Sequence, residues 1–90
     1  MYEWDEAKRK ANLRKHGLDF FVAHLVYENP NKVTYRLREI PEQRFLDVAF
    51  VEIEGTVLAL VYTIRNENVR LISFRRVSRR ETRAYAAAKA

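Results

Sequence analysis

The stretch ISFRRVSRRE, Ile72 to Glu81, holds four arginines, two serines and a single acid. Guanidinium groups bind phosphate as planar forks, so this spacing suits a phosphodiester. The stretch reads as the end of a β-strand running into a helix. A helix N-terminus is already partly positive, and two arginines in its first turn cost roughly a few tenths of a kcal/mol each. Folding does not need them there, because Ser78-Arg79-Arg80-Glu81 matches a capping box that satisfies the helix start by itself. A local rule broken without structural return points to function. Free backbone N–H groups flanked by Arg79 and Arg80 make a phosphate site.

One reaction to weigh at such a phosphate site is RNA cleavage. That reaction needs the 2′-hydroxyl deprotonated, the charge on the phosphorane neutralised and the leaving 5′-oxygen protonated. Arginines supply the second requirement by preorganised electrostatics. The proton transfers need a His, Tyr, Lys or carboxylate with a tuned pKa. His16, Tyr62, Tyr85, Glu42 and Lys15 are the candidates. None carries a strong signal alone, and two have a plainer reading beside the catalytic one. His16 precedes Gly17 at a helix end and also reads as a C-terminal cap. Tyr62 lies in an apolar strand and also reads as core with a bonded hydroxyl. His24 sits among Val22, Leu25 and Val26 and reads as structural.

Other chemistries find less support. Two glycines leave no glycine-rich phosphate loop, and without cysteine there is neither a disulfide nor a thiolate metal site. The two histidines and the acids show no metal-ligand spacing, so no metal or cofactor is expected. A nucleophile elbow is absent.

The net charge of +5 is unevenly placed. Val69 to Ala90 contains seven cations and one acid, whereas the preceding residues hold ten cations and eleven acids. A localised basic field attracts phosphates or an acidic partner, although charge runs are often only a solvated face. Ninety residues are expected to make one domain, 1–90. No apolar run approaches the roughly 20 residues of a membrane span, and no secretory pattern opens the chain. The expected compartment is the cytoplasm.

The elements that must position these residues follow from pattern. Tyr2 to Trp4 reads as a short strand. Asp5 caps a helix through Lys15 that Gly17 ends, and Asp19 caps a second helix, Phe20 to Tyr27, with Phe21, Val22, Leu25 and Val26 as its core face. Beyond Asn29-Pro30-Asn31 the period becomes two. Lys32 to Arg38 reads as an edge strand, Glu39 to Gln43 as a loop, and Arg44 to Ile53 as a longer strand. Val57 to Ile64 is apolar on both faces and belongs at the sheet centre. Val69 to Val77 follows the turn at Asn66 to Asn68, and alternation groups Arg70, Ile72, Phe74 and Arg76 on one face. Ile72 and Phe74 are expected to meet the helices, and Ser73 and Arg75 to lie on the open face near Thr63, Arg65 or Tyr62. Thr82 to Lys89 completes a C-terminal helix. The fold class is α+β, with helices on one face of an antiparallel sheet of about four strands.

The segments YEWDEAKRKANLRKHGLDF, LVYTIR and VRLISFRRVSRRETRAY resemble the BrnT family, toxins of a bacterial type II toxin–antitoxin system, in order and over nearly the whole chain. The pattern of Trp4, Asp5, Lys8, Asn12, Lys15, His16 and Gly17 carries most of the likeness, together with Arg70, Ile72, Ser73 and Arg75. The resemblance implies a RelE-like fold and metal-independent RNA cleavage that blocks translation. It also implies a BrnA-like antitoxin as partner, with operator DNA reached only through the toxin–antitoxin complex. Two departures stand out. Phe74 replaces a small residue, which would narrow the site or change the core beneath it. Phe21-Val22 stands where acids are common, which would make partner interface or added core.

Together the residues and the resemblance assign Arg75, Arg79 and Arg65 to the scissile phosphate and His16 or Tyr62 to proton transfer. Lys15, Arg44, Arg70, Ser73, Arg76 and Arg80 would position the RNA. Two competing readings remain: a module that binds RNA or an antitoxin without turnover, and, less well supported, a DNA-binding repressor.

Overall fold

The computed structural model describes residues 1–37 and 42–89. The element order is β1 (Tyr2–Glu3), α1 (Glu6–His16), a 3₁₀ turn (Phe20–Val22), α2 (His24–Tyr27), β2 (Val33–Leu37), β3 (Arg44–Val51), β4 (Thr56–Arg65), β5 (Asn68–Arg76) and α3 (Arg79–Lys89). The loop expected around Pro41 falls mostly outside the described residues.

The strands form one sheet in the order β1-β5-β4-β3-β2. The expected antiparallel sheet of about four strands is instead mixed and five-stranded, because β1 joins β5 in parallel, with Tyr2 beside Val69. Strand β4 is central, as its two apolar faces require. Leu58, Leu60 and Tyr62 point to one side, while Val57, Ala59 and Val61 point to the other. Because both sides must be covered, the helices do not share one face as expected. The 3₁₀ turn and α2 cover the first side with Phe20, Ala23 and Val26, and α3 lies on the second with Tyr85. Helix α1 packs mainly on β5.

The second N-terminal helix is also shorter than expected. Its buried residues are Phe20, Ala23 and Val26, spaced by three, and the chain tightens to a 3₁₀ turn before one turn of α-helix. Phe21 and Val22 therefore face outwards, with Phe21 62% exposed and the Arg9 guanidinium 5.0 Å from its ring centroid. Two loops set the antiparallel register that the sequence leaves open. Glu52 to Gly55 joins Val51 to its partner Thr56, with Gly55 at φ 67°. Asn66-Glu67, both at positive φ, joins Arg65 to Asn68, the backbone of a primed hairpin turn.

One buried polar group pins the β2–β3 side. Asp47 is 0% exposed, and it accepts hydrogen bonds from Lys32 Nζ at 2.6 Å, Thr34 Oγ1 at 2.6 Å and Tyr62 OH at 3.1 Å. Lys32 also lies 4.2 Å from the Tyr27 ring centroid. Removing Asp47 leaves three donors and a largely buried ammonium without their acceptor. Asp47→Ala is expected to lower unfolding free energy by about 3 kcal/mol in chemical denaturation, whereas a change under about 0.5 kcal/mol, the usual range for a surface position, would contradict this role.

Candidate active site

The site begins at Asn12. Its side chain, on a residue only 8% exposed, donates to Phe74 O at 2.7 Å and Leu18 O at 3.1 Å, and accepts from Phe74 N at 3.0 Å. The amide thus acts as a one-residue extension of the sheet at the edge of β5 that β1 does not cover. Here β5 carries a β-bulge. Val61 pairs with Ser73 and Tyr62 with Leu71, leaving Ile72 as the extra residue.

The bulge overturns the simple alternation. Val69, Leu71 and Phe74 all face the larger core, and Arg70, Ser73 and Arg75 share the α3 side. Phe74, 0% exposed, is core and does not narrow the site. The extra residue reverses the phase between Leu71 and Ser73, so Ile72 does not join Phe74 in the core and lies beside α1 instead.

Helix α1 supplies the other wall. Lys8, Ala11, Asn12 and Lys15 fall at i, i+3, i+4 and i+7, one helical face, and with His16, Ile72 and Ser73 they line a cleft of about 290 Å³. Asp5 caps this helix, accepting from Ala7 N at 2.8 Å, and Gly17 at φ 70° ends it. Burial first, and then the charges of Lys15, Arg75 and Arg76, hold the His16 imidazole below its ordinary pKa. That lowering favours the neutral ring, the form able to accept a proton.

Next to the cleft, Arg75 makes a forked pair with Glu81, at 2.7 and 2.8 Å. Glu81 also accepts from Ser78 N at 2.8 Å, and Ser78 Oγ accepts from Glu81 N at 3.2 Å, completing the capping box. The pairing with Arg75 holds the Glu81 carboxyl down to about 2, and Glu81 in turn raises Arg75. Arg75 thereby ties β5 to the start of α3, leaving Arg79 and Arg80 exposed and with no carboxylate partner among the described residues.

The remaining candidates scatter. Arg76 donates to the His16 carbonyl at 2.8 Å, holding α1 to β5 from the other side. Arg44 and Arg70 flank Thr63 in one row across the α3 side of the sheet, and Arg70 pairs with Glu3 at 2.9 Å. Arg65 is on the same side but about 13 Å along β4 from Val61, the partner of Ser73, and it pairs with Glu42. Tyr62 points to the opposite face. Burial and Asp47 push its phenol pKa up, and its hydroxyl donates to Asp47. The structure does not bring Tyr62 or Arg65 to the cleft. Tyr85 OH accepts from Phe50 N at 3.3 Å, and His24, read as structural, is exposed. Among the described residues no group of three or more His, Asp or Glu side chains is placed to hold a metal. Sequence reasoning passed over Lys8 and Asn12 as site residues, although the i, i+7 spacing of the two lysines marks that face.

Residues 4–81 match the family model described as the ribonuclease toxin, BrnT, of a type II toxin–antitoxin system. The chain belongs to that family. The matched range takes in the whole of α1, all of β5 and the capping box, and so every wall of the cleft. BrnT membership makes the chain a ribonuclease toxin with an antitoxin partner. No curated protein shows significant similarity to the chain.

The Glu81 carboxyl is held below its unfolded value, so its contribution is present above about pH 4.3 and lost as pH falls towards 2. Wild type is expected to exceed Glu81→Gln by about 1 kcal/mol at pH 7, the scale of a partly exposed pair. Denaturation at several pH values should show that difference closing between about pH 5 and 2. A constant difference would contradict the pairing.

Proposed function

We propose that this BrnT chain is a cytoplasmic, metal-independent endoribonuclease that cleaves RNA to block translation and is neutralised by a BrnA-like antitoxin, with operator DNA reached only through that complex. The observation that carries this reading is the cleft between α1 and the bulge of β5. It combines two lysine side chains, an imidazole whose pKa is held below its ordinary value and a serine hydroxyl beside an arginine-rich helix start.

In this reading Lys8 and Lys15 hold the scissile phosphate and stabilise charge on the phosphorane. His16 accepts the 2′-hydroxyl proton and returns it to the leaving 5′-oxygen, which general acid–base chemistry allows of a single imidazole. Ser73 donates a hydrogen bond to a non-bridging oxygen. Arg79 and Arg80 bind the flanking backbone, and Arg44 and Arg70 extend the cationic track across the sheet. Arg75 acts as a positioning residue through Glu81, since its fork is already occupied. Arg76 positions His16 through its carbonyl.

Induced expression is expected to arrest growth with fragmentation of cellular RNA. His16→Gln should lower cleavage by about 10²-fold or more while remaining folded. Because His16 sits below the ordinary imidazole value, the acidic limb of the wild-type cleavage profile should lie below about pH 6.5 and vanish in the variant. Normal growth and intact RNA with a folded, expressed wild type would instead favour a binding module without turnover.

A further inference from the structure

A second cavity lies on the α3 side of the sheet. It measures about 230 Å³ and is lined by Tyr35, Leu46, Val48, Arg80, Glu81 and Ala84. That is smaller than the roughly 300 Å³ at which drug-sized pockets begin, and it suits one planar ring system. Its walls combine an aromatic ring, aliphatic side chains and a guanidinium, the set on which unstacked bases rest. The Glu81 carboxylate in the wall disfavours a phosphate there.

The register connects this cavity to the cleft. Ser73, Val61, Leu46 and Tyr35 form one row across four strands, so Tyr35 stands three strand spacings, about 14 Å, from Ser73. The next row carries Arg70, Thr63, Arg44 and Leu37. On the other flank lies the first turn of α3 with Arg79 and Arg80. The Ser73–Tyr35 row is thus a floor with cations on both banks, and the Arg44 Nε is buried without a hydrogen-bond partner among the described residues. A polyanion with bases fits such a floor, whereas an apolar peptide would leave Arg79 and Arg80 without an anionic partner.

We infer that the Tyr35 cavity is a nucleobase subsite. It holds one unstacked base of a single-stranded RNA whose backbone crosses the sheet from the α1–β5 cleft. Tyr35 is the stacking residue, and Arg80 closes the cavity over the base. This rests on the ribonuclease reading above and adds where the substrate lies beyond the scissile phosphate.

The test measures binding of short 2′-O-methyl RNA oligonucleotides, intact and abasic, across a salt series. Tyr35→Ala is expected to weaken intact RNA about tenfold or more, with no change in the slope against log salt. Tyr35→Phe should bind like wild type, which separates stacking from a folding defect. Arg79→Ala should instead reduce the slope by about one. Abasic RNA should bind wild type and Tyr35→Ala alike. Wild-type affinity of Tyr35→Ala for intact RNA, or an equal loss on intact and abasic RNA, would overturn the subsite. A wild type that binds neither RNA would overturn the ribonuclease reading itself.

Discussion

The amide of Asn12 on the backbone of Phe74 is the contact from which the rest of this site follows. An exposed strand edge leaves N–H and C=O groups unpaired, and a single side-chain amide supplies one donor and one acceptor to match them. The contact joins α1 to β5 at the bulge. There the added residue turns Arg70, Ser73 and Arg75 to one side while Val69, Leu71 and Phe74 stay in the core. Without the bulge, Ser73 and Arg75 would share the core side of Leu71, and Phe74 would leave it. The bulge therefore separates apolar from cationic residues within one strand, and the same contact sets Lys8, Lys15 and His16 against Ser73.

Electrostatics complete the arrangement from the other end of β5. Arginines at a helix start are unfavourable in isolation, yet Glu81 binds both the helix start and Arg75, so the local charge is partly offset. Helix α3 buries none of its residues and is held chiefly by this carboxylate and by Tyr85. A helix so held covers only part of its side of the sheet. The row of Arg44, Thr63 and Arg70 remains beside it.

Much of this was legible because it is local. The capping box lies within four consecutive residues, and the doubly apolar β4 announced its central place. The bulge was not legible, since its partner Asn12 is 62 residues from Phe74 and alternation carries no sign of an added residue. That error misgrouped Ile72 and Phe74. Tyr62 was placed with the arginines because strand period gives two faces without saying which one the helices cover, and its hydroxyl proves to serve Asp47. Phe21 and Val22 were read into a helical stripe, whereas the period of three in Phe20, Ala23 and Val26 set the actual turn.

The most direct test of this account is single-turnover RNA cleavage by Asn12→Ala beside wild type, with folding of both followed by circular dichroism. Removing the amide frees the bulge and shifts Ser73 relative to Lys15 and His16. The variant is expected to fold and its cleavage rate to fall by about 10²-fold, the scale of a small misplacement at a catalytic centre. A folded Asn12→Ala that cleaves at the wild-type rate would contradict it.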